Sequence, residues 1–236
     1  MKSTIDEIRA RFDADVERFS NLETGQTAAM GSAIALELIP RAAVAATPHA
    51  RRVLDIGCGA GNFTLRLLQQ KPMEAITLVD LSRPMLDRAE QRVRAVHSGE
   101  VTSLQADIRD VSLGAASIDV ILAGAVLHHL RTDAEWEITF AMLHRFLAPG
   151  GSLWIFDMVT HEHPAVQAMM HARYGDYLAS LKGDAYREHV FAYIEKEDTP
   201  RPLTYQVELL RRVGFAKVEV LHFDTCFAAF GAVRAL

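Results

Sequence analysis

Apolar side chains recur at spacings of three and four near the start of the chain, at Ile5, Ile8, Phe12 and Val16. That rhythm predicts a short amphipathic helix over 4–16. Residues 27–46 are alanine-rich and read as helical, with Pro40 expected to kink or break the run. From Arg51 the rhythm changes to short apolar runs separated by amphipathic ones. RRVLDIG (51–57), AITLVDLS (75–82), VTSLQAD (101–107), IDVILAGAV (118–126) and GSLWIFDMV (151–159) read as strands. AGNFTLRLL (60–68), RPMLDRAEQRVRAV (83–96) and DAEWEITFAMLHRFL (133–147) read as the helices between them. Ser82 is placed to cap the second of these, with Pro84 in its first turn. Ala148-Pro149-Gly150-Gly151 reads as a stop followed by a turn. Residues 164–198 form a mostly helical insert rich in Tyr, His and Met, and PLTYQVELLRRVGF (202–215) is a helix with Gly214 near its C-cap. KVEVLHF (217–223) and CFAAFGAV (226–233) close the chain as two strands joined by Asp224-Thr225.

Strands alternating with helices imply an α/β fold, a largely parallel sheet covered on both faces. The last two strands are too close for a helical crossover, so they pair antiparallel. A ligand crevice is expected at the carboxyl ends of the strands, near the point where the strand order reverses. The division expected is an N-terminal helical cap over 1–46 and a Rossmann-like domain over 47–236 that carries the insert at 164–198. Residues 12–30 are expected to cover the ligand as a lid.

Composition narrows the class. The 236 residues are 50% hydrophobic and 23% charged, with a formal charge of −5. This is a globular balance, neither disordered nor a disulfide scaffold, and it opposes a protein that coats nucleic acid. The N-terminus lacks an apolar signal core and no run is long enough to span a membrane, so a cytoplasmic protein with no membrane partner is expected. Cys58 and Cys226 show no zinc or redox spacing. The apolar closing strands leave a homodimer open.

Candidate chemistry concentrates in Leu54-Asp55-Ile56-Gly57-Cys58-Gly59-Ala60-Gly61, which ends a strand and opens a helix. Gly57 permits the tight turn, Gly59 lets backbone approach a ligand, and Gly61 permits close packing of helix on strand. The next strand ends in Asp80, placed to accept from ribose hydroxyls. The loop reads GxGxG rather than the dinucleotide GxGxxG. Asp55, two residues before the first glycine, would repel a pyrophosphate and suits a cationic amino-acid end. A nucleoside-containing cofactor is the favoured ligand.

The segment Asp55 to Gly61 resembles motif I of class I S-adenosylmethionine-dependent methyltransferases, and the resemblance extends over 51–233. It implies the Rossmann-like class I fold, a mostly parallel seven-stranded sheet with an antiparallel last strand. The implied cofactor is S-adenosylmethionine, with S-adenosylhomocysteine as product. Asp55, Gly57, Cys58 and Gly59 then meet the methionine part, Asp80 and Leu81 the ribose, and Asp107 and Ile108 the adenine. Gly124 and Ala125, in AGAVLHHL, line cofactor and substrate. Phe19-Ser20-Asn21-Leu22 and the tail HFDTCFAAFGAVRA are similar to the carboxy-S-adenosylmethionine synthase branch. That likeness makes Phe19 a cofactor contact. Phe191 stands where the branch has an arginine, with Arg187 one helical turn earlier.

His128, His129 and Asp157 are the catalytic candidates, at the ends of the fourth and fifth strands. Tyr174 and Tyr177, with Arg187 and Phe191, are substrate candidates from the insert, although the tyrosines serve equally as its core. His161-Glu162-His163 reads as a solvated loop, Glu195-Lys196-Glu197-Asp198 as a solvated helix end, and no metal site is expected. The favoured activity is methyl transfer to a small-molecule substrate. Two alternatives stand: an enzyme that modifies or cyclises the cofactor itself, and a non-catalytic cofactor-binding partner subunit.

Overall fold

The computed structural model describes residues 2–21 and 27–236. Residues 22–26 of the expected lid, including Leu22, lie outside them. The chain opens with α1 (Ile5–Ala14) and α2 (Val16–Ser20), then α3 (Ser32–Ala46). Thr4 starts α1 through a reciprocal capping box with Glu7. The helix α3 buries Ala35, Leu36, Ile39 and Ala43 along one stripe and runs uninterrupted through Pro40, so the expected break at Pro40 does not occur. Pro40 is itself buried, and packing along this stripe offsets the lost backbone hydrogen bond.

The α/β part follows as β1 (Arg52–Ile56), α4 (Asn62–Gln70), β2 (Ala75–Asp80), α5 (Arg83–Arg94), β3 (Glu100–Gln105), β4 (Ile118–Gly124), α6 (Asp133–Phe146) and β5 (Leu147–Met158). Then come the insert helices α7 (Pro164–Lys182) and α8 (Asp184–Glu197), α9 (Leu203–Arg212), β6 (Phe215–Asp224) and β7 (Phe227–Arg234). The seven strands form one sheet in the order β3-β2-β1-β4-β5-β7-β6. All neighbours pair parallel except β7, which runs antiparallel between β5 and β6. This is the expected fold class.

Period-two alternation buries both faces of the sheet. Val53, Val120, Leu122 and Phe156 pack into one core with α3 and α4. Leu54, Ile56, Ile121 and Phe230 pack into the other with α6 and α9. One boundary departs from expectation: LAPGG belongs to β5 rather than to a turn before it. Pairing jumps from Ile118↔Leu147 to Val120↔Ser152, so this stretch is a bulge inside the strand, with Gly150 at φ +74°. The apolar run of β7 is used inside the sheet, and the edge is β6, where Val220 and Phe223 are exposed.

The strand order reverses between β1 and β4. The loops leaving these two strands therefore diverge above the sheet and open a crevice at its carboxyl edge. Among the described residues no helix is long and apolar enough to cross a membrane.

Candidate active site

A single cavity at that edge gathers residues from the β1, β2, β3 and β4 loops, the cap and the insert. At its floor, Gly57 turns the chain at φ +67° beneath Val126, where a Cβ would stand 2.3 Å from a Val126 methyl. Gly59 has φ +51° and nothing within 4 Å of where its Cβ would be. Its face is thus an open cradle in which bare backbone meets whatever fills the cavity. Gly61 lies against Ala89 of α5, so it serves helix–helix packing rather than the helix–strand packing expected of it.

Two acids flank this loop. Asp55 is buried and accepts the Thr64 hydroxyl at 2.6 Å. Burial pushes its pKa up to about 7 against that hydrogen bond. Asp80 accepts backbone N–H groups of Gly59 at 2.7 Å and Ser82 at 2.9 Å. Burial raises it to about 6 despite those bonds. Each oxygen of Asp80 keeps acceptor capacity for a hydroxyl. Leu81, Asp107 and Ile108 continue the wall. Burial works to raise Asp107, but Arg109, bonded to both its oxygens at 2.6–2.9 Å, holds it below the ordinary carboxylate value. Cys58 lines the floor as a buried thiol, pushed well above its ordinary pKa by burial and the two nearby aspartates, so it is no nucleophile.

At the end of β4, Gly124 and Ala125 line the cavity. Ala125 holds φ +54°, a conformation that costs a non-glycine residue free energy and marks functional turns. A short 3-10 turn, Leu127–His129, then aims both histidines inward. Asp157 of β5 is fully buried and bonds His128 through its ring Nδ1 and its backbone N–H, the latter at 3.0 Å. Asp157 does not line the cavity; it holds His128 from behind. On the cavity side, Asp198 Oδ1 lies 3.7 Å from His128 Nε2 and 3.3 Å from His129 Nδ1. Burial opposes charge on His128, but Asp157 and Asp198 outweigh it and lift its pKa to about 9. Burial, with the neighbouring charges of His128 and Arg11, keeps His129 well below its ordinary value. Burial raises Asp198 to about 6 against the pull of His128.

The cap closes the top. Phe12 meets His129 edge-on and Phe19 at ring distances of 5.8 Å, and Phe19 lines the cavity. Side-chain bonds latch this cap to the body: Ser82 Oγ to Asp13 at 2.5 Å, Asn62 to the Phe19 carbonyl at 3.0 Å, and Arg11 to Glu197 at 2.9 Å.

The insert contributes less than expected. Tyr174 reaches the cavity and donates to the Ala28 carbonyl at 2.9 Å. Tyr177 donates to the Thr27 carbonyl at 2.6 Å and supports the cap from outside the cavity lining. Arg187 pairs with Asp184 and Glu188 at the surface. Phe191 stacks on His171 with ring centroids 4.1 Å apart. Neither Arg187 nor Phe191 lines the cavity: their side of α8 packs against α7 at Gly175, and α8 reaches the cavity through Tyr193 instead. The His161-Glu162-His163 stretch is occupied by local bonds: His161 to the Thr225 carbonyl, Glu162 to Thr204, and His163 capping α7 through Ala165 N–H.

Glu197 and Asp198 are each only 5% exposed, which overturns the solvated helix end expected there. Their signal was legible: acids at a helix C-terminus oppose its macrodipole and need another reason to be there. Arg11 and Asp198 both line this cavity and were not identified as site residues from the sequence.

Taken together the residues fit an adenosyl sulfonium. Gly59 offers the cradle, Asp80 acceptors for a diol, Asp55 negative charge for an ammonium, and Asp107 with Ile108 an edge and a face for a base.

Comparison with known proteins agrees with that fit. Residues 53–151 match the family described as Methyltransferase domain. The malonyl-[acyl-carrier protein] O-methyltransferase of Paenibacillus sp. is 39% identical over 104 residues, 43% of this chain and 37% of that protein. The carboxy-S-adenosyl-L-methionine synthase of Vibrio atlanticus is 26% identical over 196 residues, 80% of this chain and 77% of that protein. The 1,6-didemethyltoxoflavin-N1-methyltransferase of Burkholderia thailandensis, solved with S-adenosylhomocysteine, superposes with TM-score 0.65 at 19% identity over 100% of this chain and 92% of that one. This last likeness is one of fold. The chain spans between 37% and 51% of the length of the first curated relatives it matches.

Proposed function

We propose that this protein is an S-adenosylmethionine-dependent methyltransferase acting on a small molecule. The observation that carries this reading is one capped cavity in which the Asp55–Gly59 loop, Asp80, Asp107 and Ala125 face the same space as a buried His128–His129–Asp198 cluster. When bound, S-adenosylmethionine supplies an electrophilic methyl on a positively charged sulfur. Asp55, Asp80 and Asp107 bind and orient it through the three contacts described above. Phe12, Phe19 and the α1–α2 cap exclude water, which protects the displacement and strengthens every charge contact inside. With the reacting groups held in line, positioning supplies much of the rate.

Proton handling falls to the cluster. His128 is a cation at neutral pH, fixed by Asp157, and serves as a donor rather than a base. His129 is held neutral, and its ring nitrogens make no hydrogen bond. It therefore accepts the acceptor's proton, with Asp198 beside it; such positioned bases contribute roughly 10²–10⁴-fold. An enclosed, apolar-walled site under a cap suits a small acceptor better than a polymer, and the acidic balance supports the same reading.

The 26% likeness to a carboxy-S-adenosylmethionine synthase favours a second reading, in which the cofactor itself is modified. Arg187, surface-paired outside the cavity, weakens it. Mass spectrometry of the nucleoside product after incubation with cell extract separates the readings. S-adenosylhomocysteine supports methyl transfer; a mass gain on the cofactor or methylthioadenosine supports the second. Tight S-adenosylhomocysteine binding with no turnover of any acceptor pool supports a non-catalytic partner and defeats both.

A further inference from the structure

The His128–His129–Asp198 cluster has a geometry that proton transfer alone does not require. One potential ligand atom from each residue lies within 4.8 Å of the others, and all three residues are buried or nearly so. Asp198 Oδ1 and both ring nitrogens of His129 are buried without a hydrogen bond, and Asp198 is 5% exposed. Buried polar atoms left unpaired are costly, and several converging on one point call for a partner that touches them together. A tetrahedral ion with bonds of about 2.0–2.2 Å spaces its ligand atoms by roughly 3.3–3.5 Å. The Asp198 Oδ1 separations are 3.3 Å to His129 Nδ1 and 3.7 Å to His128 Nε2.

The surroundings fit a cation as well. Histidine ligands commonly donate their second ring N–H to a carboxylate, which fixes the tautomer and aims the other nitrogen. Asp157 accepts from His128 Nδ1–H in this way and accepts again from the His128 backbone N–H. Arg11 reaches the same cavity, but its guanidinium is bound to both oxygens of Glu197 at 2.9 Å, so its charge is already matched. Asp157 and Asp198 then supply two negative charges in apolar surroundings, the complement of a divalent ion.

We infer that His128 Nε2 (its proton displaced by the ion), His129 Nδ1 and Asp198 Oδ1 form a binding site for a divalent first-row transition metal ion of the zinc or iron(II) type, with an open coordination position facing the cavity; the donor and base roles proposed above for the two histidines belong to the metal-free protein. Two imidazoles and one carboxylate on one side of an ion leave that position free for an outside ligand. An oxygen or nitrogen of the acceptor, bound there, is oriented and made more acidic. The use of the open position rests on the methyl-transfer reading; the site itself does not.

The test is titration of the full-length, chelator-treated protein with Co²⁺, followed by visible absorption, with S-adenosylhomocysteine calorimetry in parallel. One equivalent should bind with the intense d–d bands of a four- or five-coordinate site. Proton NMR of the same sample should show hyperfine-shifted ring N–H signals from two histidines, a readout that needs no variant. Asp198→Asn and His129→Asn should abolish the bands, Asp157→Asn should weaken binding roughly 10–100-fold, and His163→Ala should leave it unchanged. Absent or weak octahedral bands, unaltered in Asp198→Asn, would overturn the inference. If S-adenosylhomocysteine still binds in that case, the metal site fails alone and the cofactor reading stands.

Discussion

His128 and Asp157 are joined twice, once through the ring Nδ1 and once through the His128 backbone N–H at 3.0 Å. The pair links the turn after β4 to the neighbouring strand β5, behind the cavity wall. It turns a loop histidine into a group whose orientation is set by the sheet.

Asp157→Asn keeps the shape and removes the charge. Hydrogen bonds to charged groups contribute about 1.5–3 kcal/mol, so turnover should fall by one to two orders of magnitude. The fall should appear in kcat with KM for S-adenosylmethionine little changed, and the alkaline limb of the kcat–pH profile should move to lower pH as His128 loses its nearest anion. Equal losses in kcat and cofactor affinity would mark a structural defect instead.

Asp80→Ala should weaken S-adenosylhomocysteine binding by roughly 1.5–3 kcal/mol, an order or two in affinity. Calorimetry reads this directly. Binding unaffected by the change would remove the ribose assignment.

Asp55 and Asp80 are held near 7 and near 6, above the ordinary aspartate value near 3.9. A carboxyl raised on folding binds more protons folded than unfolded. Its stabilising share is therefore complete below about pH 4 and lost as pH rises through 6 and 7. The ligand-free protein should show a higher urea midpoint at pH 5 than at pH 8 from this source. Asp55→Asn should flatten the difference by an amount on the order of 1–3 kcal/mol. An Asp55→Asn profile parallel to the parent would contradict the argument.

Gly57→Ala places a methyl 2.3 Å from a Val126 methyl at φ +67°. The clash and the strained backbone together should cost about 1–3 kcal/mol, seen as a lower Tm. Adding Val126→Gly, which also removes the Val126 Cβ 2.5 Å from that methyl, should recover the steric part and leave the Gly57 backbone part. No recovery would mean that Val126 does not lie over the turn.

The cap is held by side-chain latches rather than by sheet pairing, which places it at the low-stability end of the molecule. Hydrogen exchange over 12–30 should slow when S-adenosylhomocysteine binds, and Arg11→Ala should speed it in the free protein. Unchanged protection with ligand would count against a lid.

Particular residues show where reading the chain succeeds. Asp55, Gly57, Gly59 and Asp80 are close in sequence to the turns they form, so a strand end, a bend and a helix start sufficed to bring them together. Asp198 carried only a local hint, and its place in the site was not legible for the opposite reason. It is 69 positions from His129 along the chain (198 − 129), and a charge run beside it resembles a solvated helix end. Only Arg11, arriving from the cap, explains why Glu197 is buried there. Arg187 and Phe191 failed because helical spacing says which residues share a face but not which face turns inward.

What the chain determined alone is local and periodic: the strand and helix rhythm, the glycine bend after β1, and the acids that close β1 and β2. Those follow from φ/ψ limits and from burial at periods of two and 3.6. What tertiary structure decided is convergence. The crossing of strand order between β1 and β4, the folding of the cap onto α5 and the end of α8, and the desolvation that sets His128 and His129 apart all depend on contacts between distant segments. The free energy of a buried charge belongs to its surroundings, and a linear chain does not contain them.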